Sequence, residues 1–180
     1  KNFFRIQGHD LPLQKRKPDF FSLPEKAVLA FAGKEAALFS EKAEFRQITP
    51  VFIFFNPEST EKALQFICAV TDAAEYFGGY FNKADFGDKG WICLVIFGAP
   101  VCHEDNTRRA ADFVLMMKEK FSDIQFKAGI TCSKAYCGII GGENQCEYTA
   151  VGDAVNTAAR LAAKAEYSEL IISGQVYELL

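Results

Sequence analysis

The stretch "EYTAVGDAVNTAARL", residues 147–161, changes character at a single point. Its first five residues include β-branched and aromatic side chains, which favour a strand. A Gly-Asp pair then interrupts the pattern, and Asp153 is well placed to cap a helix that starts there. Within that helix Asn156 and Arg160 are four residues apart and therefore share one face. The stretch predicts a strand that turns sharply into a helix with a polar pair on one side.

The polar pair has two interpretations. Small residues let another surface approach the helix closely; they are Ala154, Ala158, Ala159 and Ala162. An amide and a guanidinium on one face can hold a sugar oxygen and a phosphate, because arginine donates in a fixed fork. The alternative is a solvated arginine beside an ordinary asparagine. Spacing alone leaves both interpretations open.

The segments around this stretch alternate between strands and helices. Helices are predicted from Ser59 or Thr60 to Gly78-Gly79 and over 104–120, with apolar residues recurring at helical spacing. Strands are predicted at 48–56, 80–86, 91–98, 124–132 and 170–173, with a hairpin over 135–151 that turns near Gly141-Gly142. This order predicts an α+β fold: a ferredoxin-like βαββαβ core with an added hairpin, helix and strand, and helices on one face of the sheet.

The first 44 residues differ from the rest of the chain. "LPLQKRKPDFF" carries two prolines around a basic cluster and is typical of a linker, whereas Ser22 and Glu25 form a capping box for a lead-in helix. We therefore expect two parts: an N-terminal linker and lead-in helix over 1–44, and a folded domain over 45–180. The chain starts with Lys1 and shows no signal-peptide pattern, so we expect it to be a piece of a longer protein.

Composition excludes several classes of protein. The 180 residues are 49% hydrophobic with a net charge of −3, which favours a globular domain and argues against nucleic-acid binding. No apolar run is long enough to span a bilayer, so no membrane partner is expected. The six cysteines include no CxxC pair and most lie in apolar runs, which predicts buried free thiols and a cytoplasmic location. His9 and His103 are too far apart in sequence to indicate a zinc site.

The opening stretch, together with "AGITCSKAYCGIIGG" (128–142) before it, resembles the signature of the class III nucleotidyl cyclases. "FGAPVCHEDNTRRAADFVLMM" (97–117) is similar to the central strand-to-helix segment of that family, and the resemblance covers about residues 45–175. It implies that ATP or GTP is cyclised between two such domains arranged head to tail. One domain supplies two metal-binding aspartates, and the other supplies base recognition, an asparagine and an arginine.

The chain resembles the second kind of domain. The first metal aspartate of the family follows a strand in an F-x-D-I-x-G-F-T pattern, but here "FIFFNPEST" (52–60) has no aspartate. The second belongs to a K-x-x-G-D pattern, and "KADFGDKG" is one residue longer. Its Asp88 alone would be a poor Mg²⁺ site, and a turn role is favoured for it. The "NKADFGDKG" form is similar to the second catalytic domain of soluble, bicarbonate-responsive adenylyl cyclases and their bacterial relatives.

The resemblance implies a role for four residues. Lys83 would donate to an adenine ring nitrogen and Thr149 would accept from the exocyclic amine, which implies ATP as substrate. Asn156 would orient the ribose and Arg160 would stabilise charge on the phosphate. Two Mg²⁺ ions would be held by the aspartates of a partner domain in the same protein or in a second subunit, although the isolated chain could also form a homodimer. No metal site is expected on this chain.

Two alternatives accompany that assignment. A regulatory or dimerisation domain without turnover would keep the fold and lose the metal aspartates, although the four matched residues weigh against it. An RNA-binding module shares the ferredoxin-like topology. The acidic charge and the lack of an RNP-like aromatic motif argue against RNA.

Overall fold

The computed structural model describes residues 43–87, 90–121, 123–142 and 145–180. The linker and lead-in helix expected in the first 44 residues lie almost entirely outside these ranges, as does Asp88. None of the helices within the described ranges is both long and apolar enough to cross a membrane.

Seven strands in the described ranges form one sheet, and they confirm the α+β prediction. The central order is β2-β3-β1-β4-β7, while β5 pairs with β1 and β6 pairs with β5. All of these pairs are antiparallel except β4 with β7, which is parallel. The strands are β1 (Glu44–Asn56), β2 (Tyr80–Gly87), β3 (Gly90–Phe97), β4 (Gln125–Ile130), β5 (Ser133–Gly142), β6 (Gln145–Val151) and β7 (Leu170–Ile172).

Strand β1 is longer than its apolar run predicts. Its second half pairs with β3 and β4, as expected for a buried central strand. Its first residues, from Glu44 to Ile48, pair instead with β5. Most of these residues are polar or exposed, so composition does not mark them as a strand, and it is the β5 ladder that holds them extended.

Helices α1 (Thr60–Tyr76) and α2 (Asn106–Lys120) confirm the predicted helical periodicity. The Ser59 hydroxyl caps α1 by accepting from the backbone N–H of Lys62 at 3.2 Å. After α1 ends, Gly78 takes φ +73°, the left-handed conformation that glycine adopts at little cost. Both helices cover the face of the sheet that carries Val51 and Phe55. The largest fully buried side chains in this layer are Phe55, Phe66, Phe97, Phe113 and Ile53.

Helix α3 (Asp153–Lys164) lies on the opposite face of the sheet, so the prediction of helices on one face is wrong for this element. Its Ala154 joins a second cluster that includes Ile48 and Leu94 and is separate from the layer under α1 and α2. A further helix, α4 (Gly174–Leu179), was not predicted from the sequence, although Ser173 accepts from the Val176 N–H in the manner of an N-cap. The chain therefore has helices on both sides of its sheet.

The six cysteines are all free, as predicted, but only three are buried. Burial raises the pKa of the Cys93 thiol to about 12 and that of Cys137 to about 11. Cys132 is also buried. The exposed ones are Cys68, Cys102 and Cys146, which lie on α1, in the loop before α2 and on β6.

Alkylation of the native protein should separate the two groups. At neutral pH, iodoacetamide should label the three exposed cysteines, while Cys93 should stay unlabelled because a pKa near 12 leaves almost no thiolate. Peptide mass mapping before and after denaturation measures this directly, with the unfolded protein as the control in which all six react. Rapid, complete labelling of Cys93 in the folded protein would contradict the burial described above.

Candidate functional site

The turn from β6 into α3 is made by Gly152. This residue has φ +154° and ψ 179°, a region of backbone conformation used almost only by glycine. Gly152, not Asp153, occupies the N-cap position. Asp153 is the first helical residue, and its carboxylate accepts from the Thr157 hydroxyl at 3.3 Å. The predicted capping role of Asp153 is therefore wrong, because the glycine makes the turn and the aspartate already lies within the helix.

Helix α3 lies directly on the sheet because both surfaces carry small residues. Ala154, Ala158 and Ala162 form its buried face. Opposite them, a Cβ added at Gly129 on β4 would lie 2.3 Å from the Ala158 carbonyl oxygen and 2.4 Å from the Ala162 nitrogen. A side chain at this point would therefore collide with the helix backbone, which cannot give way as a flexible side chain would.

Asn156 and Arg160 occupy the outward face of α3 and are both exposed. They are one helical turn apart on the side opposite the buried alanines, as the spacing predicts. Arg160 also lines a groove of about 330 Å³ between α3 and the sheet. The other lining residues are Phe52, Phe54, Asp85, Gly87, Gly90, Ile92, Ala159 and Ala163.

Lys83 and Thr149 lie where the edge strand β2 meets β6. The Lys83 ammonium is 3.5 Å from a carboxylate oxygen of Glu147, and both side chains are substantially exposed. The Thr149 hydroxyl donates to the Asn82 side-chain oxygen at 3.2 Å, and the Asn82 amide nitrogen donates to the Tyr148 carbonyl at 2.9 Å. Lys83 and Thr149 thus lie at the same junction, where each contacts a residue of the other strand.

Two tyrosines close the apolar side of this junction. Their rings meet edge to face with centroids 5.4 Å apart, and the Tyr80 hydroxyl donates to the Tyr148 carbonyl at 3.4 Å. Burial raises the pKa of Tyr148 to about 12, and burial together with the nearby Glu147 also raises the pKa of Tyr80. Both phenols therefore remain protonated throughout the physiological range of pH.

The residues in the groove do not fit a magnesium site. Phe54, at the position where the family pattern places its first metal aspartate, is buried on β1 and lines the groove. Lys127 stands directly opposite it on β4, with its ammonium 5.8 Å from the Phe54 ring centroid. Within the described ranges no three acidic, histidine or cysteine side chains cluster as metal ligands. Asp85 is the one carboxylate among the residues that line the groove, and a single carboxylate beside aromatic rings and a nearby cation does not provide the oxygen ligands that Mg²⁺ requires.

Three residues at the site were not singled out from the sequence. Asn82 and Glu147 contact Thr149 and Lys83 respectively. Lys127 donates to the carbonyls of Ala163 and Ala165 at the end of α3. The sequence signalled Asn82 only as a polar residue next to Lys83, because its side-chain contacts from β2 to β6 join segments more than sixty positions apart.

The fold is shared with solved nucleotidyl cyclase domains. The adenylyl cyclase CyaB from P. aeruginosa superposes with a TM-score of 0.68 at 21% identity, covering 77% of this chain and 82% of that one. A guanylate cyclase domain from Catenaria anguillulae, solved in complex with GTP, gives a TM-score of 0.67 at 22% identity over 76% and 84% of the two chains. At these identities the likeness establishes the fold.

Sequence comparison then establishes the family. The model for the adenylate and guanylate cyclase catalytic domain matches residues 87–180. The chain belongs to this family, and the class III resemblance of its motifs is confirmed.

Relatives of known sequence are much longer than this chain. Human adenylate cyclase type 10 is 30% identical over 131 residues, which are 66% of this chain and 8% of that protein. An uncharacterized protein of Mycobacterium tuberculosis is 30% identical over 169 residues, covering 81% of this chain and 30% of that protein. The chain thus spans less than a third of the length of these relatives.

Proposed function

We propose that this chain is the second, aspartate-lacking half of a class III adenylate cyclase in the cytoplasm. It would convert ATP to 3′,5′-cyclic AMP and pyrophosphate together with an aspartate-bearing partner domain. The observation that carries the proposal is the combination of Lys83 and Thr149 at the junction of β2 with β6, an exposed Asn156–Arg160 pair, and a phenylalanine where a metal aspartate is expected. The residues expected to bind the nucleotide are present, whereas the position expected to hold the first metal aspartate is occupied by Phe54.

Adenine is the base that suits Lys83 and Thr149. Adenine presents an acceptor at ring nitrogen 1 and a donor at its 6-amino group, while guanine presents the reverse pattern. The lysine ammonium can only donate and the threonine oxygen can accept, so the pair complements adenine. Members of the family that select GTP carry Glu and Cys at these places, which supports the assignment of ATP.

Asn156 and Arg160 suit the ribose and the phosphates. In the reaction the 3′-hydroxyl attacks the α-phosphorus and pyrophosphate leaves, so negative charge grows on the phosphate oxygens. A fixed guanidinium stabilises that charge most strongly in the transition state. The Asn156 amide would hold the ribose so that its hydroxyl points at phosphorus.

Metal chemistry belongs to the partner in this proposal. Phe52 and Phe54 line the groove of this chain beside a single carboxylate, Asp85, and this set does not suit Mg²⁺, so no step is assigned to a metal on this chain. The same replacement favours a second candidate function, a regulatory or dimerisation domain without turnover. The two functions differ in whether substitutions at Asn156 and Arg160 affect the activity of the assembled protein.

Reconstitution tests the proposal. The purified chain alone should make negligible cyclic AMP from Mg-ATP, because a homodimer has no complete pair of metal carboxylates. Co-expression with the aspartate-bearing domain of its own protein or complex should restore activity. Robust activity of the isolated chain would contradict the aspartate-lacking assignment. An assembled pair whose activity is independent of Asn156 and Arg160 would favour the regulatory alternative.

Base preference is a separate prediction. In the assembled pair, the double change Lys83→Glu and Thr149→Cys should lower the ratio of kcat/KM for ATP over GTP by at least about tenfold, since two hydrogen bonds of the base are reversed. Lys120→Glu, at the far end of α2, is a matched control for the change of charge. An unchanged ratio in the double variant would mean that these residues do not contact the base.

A further inference from the structure

Asn82 interrupts the pairing of β2 with β3. Phe81 lies opposite Val95 and Lys83 lies opposite Leu94, so Asn82 is an extra residue between them with no partner on β3. Such a bulge locally re-aims side chains and is common beside active sites. Here the bulge directs the Asn82 amide across to β6, where it contacts two consecutive residues.

The orientation of the Asn82 amide follows from its partners. The Tyr148 carbonyl can only accept a hydrogen bond, so the amide group that faces it must be the NH₂. The side-chain oxygen of Asn82 therefore faces Thr149, and an amide oxygen can only accept. It follows that the single hydroxyl hydrogen of Thr149 is donated to Asn82.

Burial strengthens this constraint. Thr149 retains 7% of its accessible surface, so water is poorly placed to offer its hydroxyl a competing acceptor. With its one hydrogen directed at Asn82, the Thr149 oxygen presents only lone pairs to any other group. It can accept from the 6-amino group of adenine, but it cannot donate to the 6-oxygen of guanine or hypoxanthine.

We propose that Asn82 is a positioning residue that sets base specificity by holding the Thr149 hydroxyl as an obligate acceptor. This inference rests on the proposed function, because it specifies how the same site distinguishes ATP from 6-oxopurine nucleotides. Threonine by itself is ambiguous, since a freely rotating hydroxyl can accept from an amine or donate to a carbonyl. Asn82 removes that ambiguity.

The test compares ATP with inosine triphosphate (ITP) in the assembled cyclase. ITP lacks the 2-amino group of GTP, so it differs from ATP only at position 6 and at the adjacent ring nitrogen. The ring nitrogen faces Lys83, which is the same in every variant below, and its contribution cancels in the comparison. Preference is measured as the ratio of kcat/KM values and, without turnover, by competition against a fluorescent adenine nucleotide.

Asn82→Ala should lower the ATP/ITP preference by roughly three- to tenfold, the value of one oriented hydrogen bond. Thr149→Val, which removes the hydroxyl and keeps the shape, should lower it as well. In the Thr149→Val background, Asn82→Ala should then cause no further loss, because its effect passes through that hydroxyl. Asn82→Asp keeps an acceptor for Thr149 and removes the donor to Tyr148, so it should retain the preference even if Tm falls.

The outcomes separate a failure of this inference from a failure of the proposed function. If the unmodified pair prefers ATP and Asn82→Ala leaves the preference intact, the inference is overturned while the function stands. The inference would also be overturned if Asn82→Ala lowered the ATP/ITP preference equally in the native and the Thr149→Val backgrounds. Such a result would indicate that the substitution disrupts the site in general and does not act through the Thr149 hydroxyl. If the unmodified pair has no preference for ATP in either measurement, base recognition by Thr149 fails and the inference fails with it. Asn82→Leu, close in volume, replaces Asn82→Ala if the alanine variant does not fold.

Discussion

Arg160→Ala should lower kcat of the assembled cyclase by about 10²- to 10³-fold and change KM far less. The reason is that charge on the phosphate oxygens grows during transfer, so a preoriented guanidinium contributes most in the transition state. Arg160→Lys should recover only part of the loss, because an ammonium keeps the charge but lacks the planar fork. Steady-state kinetics with Mg-ATP measures both parameters.

Stability and a matched arginine provide the controls for this prediction. Arg160 is exposed and alanine is a good helix former, so the melting temperature should barely change. Arg108→Ala removes an exposed arginine from α2 together with its surface ion pair to Asp112, and it should leave kcat unchanged. If Arg160→Ala instead unfolds the domain or leaves kcat intact, the Asn156–Arg160 pair is structural and the solvated interpretation of this helix is correct.

Gly129→Ala should destabilise the domain by about 1–3 kcal/mol, although it adds only one methyl group. The added Cβ would meet backbone atoms of α3 at 2.3 and 2.4 Å, so the helix must move away from the sheet. For a domain of this size such a change lowers the melting temperature by several degrees. The same displacement moves Asn156 and Arg160, so kcat of the assembled enzyme should fall as well.

Gly174→Ala is the matched control for Gly129→Ala. Among the described residues, no atom outside its chain neighbours and its own helix backbone lies within 4 Å of a Cβ added there, and the residue opens helix α4. This substitution should be neutral or slightly stabilising, since alanine restricts the unfolded chain more than glycine does. Denaturant unfolding of both variants measures the contrast. Equal stability of the two would mean that α3 does not lie against the sheet as closely as described.

Some features of the chain were predictable because they depend on local periodicity. The inward faces of α1 and α2, the Ser59 cap and the stop after α1 were all confirmed, since each is set by residues within a turn or two of one another. The placement of α3 was not predictable in this way. An alanine-rich helix can pack on either face of a sheet, and the choice depends on the gap that Gly129 leaves on β4.

The same distinction between local and long-range features applies to the candidate site. The sequence by itself determined the family and most of the element order, and it supplied the candidate site residues, because motif spacing and side-chain chemistry are local properties. Only the tertiary structure decided that Asn82 accepts from the Thr149 hydroxyl, that Glu147 pairs with Lys83, and that Phe54 lies opposite Lys127. These contacts join strands that are distant along the chain, and a bulge in β2 aims one of the side chains. The alternation of polar and apolar residues within a single strand specifies neither which distant strand it will pair with nor where a bulge will occur. These side-chain contacts could therefore be identified only from the folded structure.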